Sequence, residues 1–169
     1  LEADRQLVAD VGKRTFASQS DHHAPDYAAL LRGGFGGLRR RVRQVRQTLA
    51  AQDEYGAAFL DSVVESLQGA TAHLRRWSRA LAGAAAAHPD CAELLTAQAR
   101  QLGRLAVEPP ATFHDAIQLV YSYHCMMQLD ERGAMAFGRL DQYLYPFLAG
   151  DLAAGRQTAA GAQDLLDHF

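Results

Sequence analysis

FLDSVVESLQGATAHLRRWSRAL, residues 59–81, places its apolar side chains at Phe59, Val63, Leu67, Ala70, Leu74, Trp77 and Leu81. Steps of four and three are the repeat of one face of an α-helix, so this stretch reads as a single long helix with that face turned to a core. Gly69 lies inside it and costs about 1 kcal/mol relative to alanine, which the helix-forming neighbours absorb. His88-Pro89 stops or redirects the chain, because the residue before a proline is steered away from helical backbone.

Outward from there the helical pattern continues. Asp90, with Glu93 three residues on, predicts a capped helix running towards Leu105 and ended by Glu108-Pro109-Pro110. Thr112 with Asp115 repeats the signal ahead of the apolar run from Ile117 to Leu129. On the N-terminal side, Leu38, Val42, Val45 and Leu49 line one face of a basic segment carrying Arg39, Arg40, Arg41, Arg43 and Arg46. Thr158 caps a last helix that runs to Phe169 without a terminating glycine or proline, and helical pattern is already present at Leu7 and Val8. A chain that stops in mid-helix reads as a cut from something longer. Strand signals are confined to Thr15-Phe16-Ala17-Ser18 and Met135-Ala136-Phe137. The expected fold is mainly α with one or two short strands, and residues 1–169 form one unit.

Composition narrows the function classes. The chain has 169 residues, 49% of them hydrophobic and 21% charged, enough for one globular core and incompatible with a disordered tail. A net charge of −2 excludes a globally basic nucleic-acid binder, although residues 1–50 hold nine basic against five acidic side chains and residues 51–169 eight against fourteen. That split reads as surface complementarity of the two halves or as an anion-facing segment, and the arginines read as a solvated helix face because no aromatic side chain is interleaved for a base to stack on. Cys91 and Cys125 are neither in CxxC spacing nor otherwise arranged for a disulfide or zinc framework. No apolar run approaches the roughly 20 residues of a membrane span. The expectation is a protein of the cytoplasm, with no membrane and no nucleic acid among its partners.

Chemistry has three places to sit. Ser18 to Tyr27 is the densest polar cluster. Its adjacent histidines, His22 and His23, diverge on extended backbone and do not serve one metal, whereas Asp21 or His23 can hydrogen-bond a small polar ligand. Gly33, Gly34, Gly36 and Gly37 precede the basic helix and suit either an anion at its N-terminus or a close-packed turn; the spacing matches no phosphate-loop fingerprint. Gly133 to Pro146 combines small residues with Arg139 and Asp141, which brace a turn or face a cavity, while Phe137, Tyr143, Tyr145 and Phe147 read as core. Cys125, among apolar neighbours, reads as a buried inert thiol.

That third stretch carries a resemblance. Gly133 to Pro146, Asp151-Leu152-Ala153-Ala154-Gly155 and Ala162-Gln163-Asp164-Leu165-Leu166 resemble the N-terminal part of glycyl radical enzymes of the pyruvate formate-lyase and diol dehydratase group. Pro110 to Gln118 resembles that family's proline, aromatic, acid and Ala-x-Gln helix start, and His23-Ala24-Pro25-Asp26-Tyr27 with Leu30 and Gly33 resembles its element of a histidine shortly before Asp-Tyr. The resemblance implies a helical portion of a ten-stranded α/β barrel. It implies chemistry by a backbone glycyl radical, installed by an S-adenosylmethionine iron-sulfur activase, which generates a thiyl radical on a central cysteine.

Both radical residues lie C-terminal to the region resembled, and neither Cys91 nor Cys125 matches the radical cysteine. The resemblance therefore implies no catalytic residue, metal or bound cofactor here. It implies substrate contacts at Asp21, His23 and Ala134. Gly133 and Ala134 stand where dehydratases of glycerol-like diols tend to have His and Ser. The Gly-Ala-Met string is similar to the formate acetyltransferase branch, and Asp141 to Pro146 to the dehydratase branch. The implied partners are the remainder of the enzyme, its activase and a small-molecule substrate; a cut piece also exposes surfaces its neighbours would bury, so a homo-oligomer is expected of the chain in isolation. A non-catalytic helical scaffold subunit, pairing through the Phe59 to Leu81 face, is the alternative.

Overall fold

In the computed structural model, residues 24–49, 53–129 and 135–169 are described. They form six α-helices: α1 (Tyr27–Thr48), α2 (Glu54–Ala87), α3 (Ala92–Leu105), α4 (Phe113–Gln128), α5 (Leu140–Ala153) and α6 (Ala159–Asp167). A short 3-10 turn, Pro89–Cys91, joins α2 to α3. The mainly helical expectation is met. No strand occurs among the described residues: Met135 makes an isolated bridge, and Ala136 and Phe137 follow it without regular structure. Thr15 to Ser18 lies outside the described residues.

Helix α2 begins where Asp53 accepts a hydrogen bond of 2.8 Å from the Gly56 N–H, and it runs for 34 residues to the stop at His88-Pro89. Its core face is narrower than the apolar pattern. Leu74 is buried, and Leu67, Ala70 and Leu81 pack against the core, but Phe59 and Trp77 are 58% and 52% exposed. At 3.6 residues per turn these two sit at one angle, roughly 60° round the helix from Leu74, at the stripe's margin. Trp77 turns its indole N–H to His73 Nε2 at 3.0 Å instead. Helix α3 packs back along α2, and the Ser78 hydroxyl donates to the Ala99 carbonyl at 2.7 Å.

Asp90 does not cap α3. Pro89 draws the chain into the 3-10 turn, so Asp90 falls inside that turn and Cys91 takes the cap position without a side-chain bond. Thr112 does form the predicted capping box on α4: its hydroxyl accepts from the Asp115 N–H at 3.1 Å while the Asp115 carboxylate accepts from the Thr112 N–H. Thr158 likewise caps α6, accepting from the Gly161 N–H at 3.0 Å.

The glycine run does not precede a helix but interrupts one. Helical backbone lies on both sides of Gly34, whose φ of 59° breaks the ladder. The Gly36 N–H donates to the Val107 carbonyl at 3.0 Å. A Cβ on Gly36 would come within 2.4 Å of that oxygen, and one on Gly34 within 2.6 Å of the Glu108 oxygen. The glycines thus allow backbone to touch backbone, and the Gly36 donor is already taken. Close packing explains Gly34 and Gly36, whereas a Cβ on Gly33 or Gly37 would meet nothing nearer than 3.6 Å.

The core gathers where α1, α3 and α4 meet, around Tyr27, Phe35, Leu105, Phe113, Leu119 and Val120. Two buried carboxylates fasten its polar edge. Asp115 accepts from Arg104 at 2.7 Å and Gln101 at 3.1 Å, tying α4 to α3. Asp151 accepts from the Phe113 N–H at 2.7 Å and from Arg156 at 2.8 Å, which supplies an acceptor and a negative charge to the free first turn of α4.

Candidate functional site

Asp21, His23 and Ala134, the expected substrate contacts, lie outside the described residues. The residues that follow them are described, and they converge. Ala24 comes after His23, and a Cβ on Gly138 would stand 3.8 Å from the Ala24 Cβ. Tyr27, four residues beyond His23, packs its ring on Phe137, three beyond Ala134, with centroids 6.0 Å apart. The two polar clusters of the sequence are therefore joined through α1 and the start of α5.

The junction is an aromatic cluster around Tyr27, which is 1% exposed. Tyr123 of α4 meets it edge-on at 5.9 Å, and Tyr143 of α5 lies at 5.7 Å. The Tyr27 hydroxyl is 2.9 Å from His124 Nδ1. The other face of His124 is covered by Phe137, stacked at 4.2 Å. The Tyr143 hydroxyl donates to the Phe137 carbonyl at 2.8 Å, which fixes the segment leading into α5. Gly138, with φ of 66°, makes the turn that follows.

Burial sets the protonation of this cluster. It pushes the Tyr27 hydroxyl up to about 12, with Tyr123 adding to the effect, and it raises Tyr143 as well. Burial also lowers His124, which favours the neutral imidazole. At neutral pH the Tyr27 hydroxyl keeps its proton and shares a hydrogen bond with His124 Nδ1. The arrangement offers neither a charge nor an acid near pH 7; its chemical capacity is to hold the two flanking segments in register.

Arg139 and Asp141 form an exposed pair at 3.2 Å that braces the start of α5. Phe137, Tyr143 and Phe147 pack against the core, whereas Tyr145 is 65% exposed. Cys125 is exposed, not buried: it sits on the outward side of α4, opposite the buried Ala116. Cys91 is also exposed. Arg40, Arg41 and Arg43 are exposed, and Arg46 reaches Asp61 at 3.3 Å. Among the described residues no cluster of His, Cys, Asp or Glu is placed to hold a metal, and no helix is long and apolar enough to cross a membrane.

The pairing of Tyr27 with His124 is what the sequence reading missed. The two are 97 residues apart. The only trace is that Asp26-Tyr27 and the α4 segment each resemble motifs of the same family.

A family model described as "Pyruvate formate lyase-like" matches residues 6–169. Among curated proteins, the chain is 33% identical over 138 residues to "Probable dehydratase YbiW" of Escherichia coli, covering 78% of this chain and 17% of that protein. It is 27% identical over 179 residues to "(2S)-3-sulfopropanediol dehydratase" of Klebsiella oxytoca, covering 99% and 22%. Among solved structures, the B12-independent glycerol dehydratase from Clostridium butyricum superposes with a TM-score of 0.80 at 25% identity, covering 86% of this chain and 19% of that one. A glycyl radical enzyme from Archaeoglobus fulgidus superposes with a TM-score of 0.78 at 25% identity, covering 95% and 23%. The chain spans about a fifth of the length of the curated relatives it matches.

Proposed function

Because the chain belongs to the pyruvate formate lyase-like family of glycyl radical enzymes, we propose that it is the N-terminal, substrate-contacting portion of such an enzyme, of the dehydratase or lyase type. Its substrate is a small organic molecule. The hydrogen-abstracting chemistry is supplied by a thiyl radical and a glycyl radical in the rest of the enzyme, the latter installed by an S-adenosylmethionine iron-sulfur activase. This chain binds and orients: Asp21 and His23 hydrogen-bond the substrate and Ala134 lines its pocket. The isolated chain has no activity of its own, and the enzyme works in the cytoplasm, where thiols stay reduced.

The observation that carries this reading is the convergence at Tyr27. The segment following His23 and the segment following Ala134 meet there, as two walls of one pocket would require. Relatives named as dehydratases and as isethionate sulfite-lyases favour cleavage of a carbon–oxygen or carbon–sulfur bond over formate acetyltransferase chemistry. Gly133 and Ala134 argue against a glycerol-like diol, since neither side chain can hydrogen-bond a hydroxyl.

Sequencing the genomic reading frame beyond the Phe169 codon tests the proposal. The expected result is a cysteine-bearing barrel segment and a C-terminal glycine loop, in frame or in a companion gene. A stop codon with no companion gene would overturn it.

A further inference from the structure

Phe113, Ile117, Val120 and His124 follow one another at steps of four and three along α4, and the first three are buried. The fourth place in that row carries an imidazole, where a leucine would pack as well without the cost of desolvating a polar ring. Its polar atoms are in use. Nδ1 meets the Tyr27 hydroxyl of α1 at 2.9 Å, and Nε2 faces Gln128 at 3.4 Å. The flat of the ring is stacked on Phe137, ahead of α5. A buried polar link with its partners satisfied selects one arrangement of the elements it joins, which aliphatic packing does less sharply.

Both things that His124 holds lie close in sequence to the proposed contacts. Ala134 precedes Phe137 by three residues, a length of chain that spans at most about 11 Å when fully extended, and His23 precedes Tyr27 by four. Each end is also pinned on its own side. The Asp26 carboxylate accepts from the Ala29 N–H at 2.8 Å, and the Tyr143 hydroxyl donates to the Phe137 carbonyl at 2.8 Å. A shift of the imidazole therefore displaces one segment against the other, and misplacements of about 1 Å weaken a bound geometry severely. We infer that His124 is a positioning residue: through its hydrogen bond to Tyr27 and its stack on Phe137 it sets the spacing of the substrate-contacting segments, and with it the affinity for substrate. The inference rests on the function proposed above and adds to that site a residue from a third helix.

The test is a double-mutant cycle in an active enzyme. The chain would replace the matching segment of the (2S)-3-sulfopropanediol dehydratase, and the graft would be activated anaerobically and assayed on that diol, with rates expressed per glycyl radical counted by electron paramagnetic resonance. Tyr27→Phe and His124→Phe each remove the hydrogen bond and keep a ring beside Phe137. Each should raise KM about tenfold while kcat per radical stays within about twofold, and the double variant should be no worse than either single one, because both delete the same bond. A merely structural role would do the reverse: fewer molecules would carry the radical, and those that did would bind with an unchanged KM. That result, or KM increases that multiply in the double variant, would overturn the inference and leave the proposed function standing. Tyr27→Phe removes a single oxygen atom, and its KM decides alone if His124→Phe is insoluble. A graft with the unsubstituted chain that turns over no diol, beside an active host, would count against the proposed function itself, and the inference would fall with it.

Discussion

At Gly36 a single added methyl would sit 2.4 Å from the Val107 oxygen, while at Gly69 it would meet nothing within 4 Å. Two glycines of one protein therefore respond with opposite sign. Gly36→Ala is expected to destabilise by about 1–3 kcal/mol, as overpacking does. Gly69→Ala should stabilise by about 1 kcal/mol, because it adds only helix propensity. Urea denaturation of both variants checks the pair. Asp115 governs the acid limb of the stability curve. Its burial raises the carboxyl pKa, but the bonds from Arg104, Gln101 and the Ala111 N–H outweigh that, and the net displacement is downward. The stability it contributes is complete above the ordinary carboxyl value of about 3.9 and is lost as pH falls through the lower folded value. Asp115→Asn should lower stability by about 1–3 kcal/mol near neutral pH and flatten the curve below about pH 4. His124 adds a second limb: lowered by burial, it should titrate in an NMR experiment below the free-histidine value of about 6.5.

At the scale of elements, local rules were legible where the deciding chemistry is local. Thr112 and Thr158 cap as their spacing requires, and Thr112→Ala should cost about 1 kcal/mol, read as a drop in melting temperature. The period from Val63 to Leu81 identified α2 because repeating contacts with a neighbour demand it. Legibility ended where a partner far along the chain decides. Asp90 has the spacing of a cap, but Pro89 commits it to a 3-10 turn. The glycines before Leu38 look like a loop until the Val107–Glu108 backbone, some 70 residues away, is seen against them. Cys125 reads as buried because its sequence neighbours are apolar; on a helix those neighbours point elsewhere, and only the face at three and four residues matters.

For the whole molecule, the family could be read from motifs, but the junction at Tyr27 could not. Nothing in a one-dimensional chain brings Tyr27 to His124, or the segment after His23 to the segment after Ala134; the packing of α1, α4 and α5 does. The account divides the labour of one enzyme between this chain, which binds and orients, and polypeptide beyond it, which reacts. Electron paramagnetic resonance after anaerobic incubation with activase and S-adenosylmethionine tests that division most directly, with the isolated chain beside its graft into the sulfopropanediol dehydratase. The account predicts a glycyl doublet from the graft and none from the isolated chain; a doublet arising on the 169-residue chain alone would contradict it.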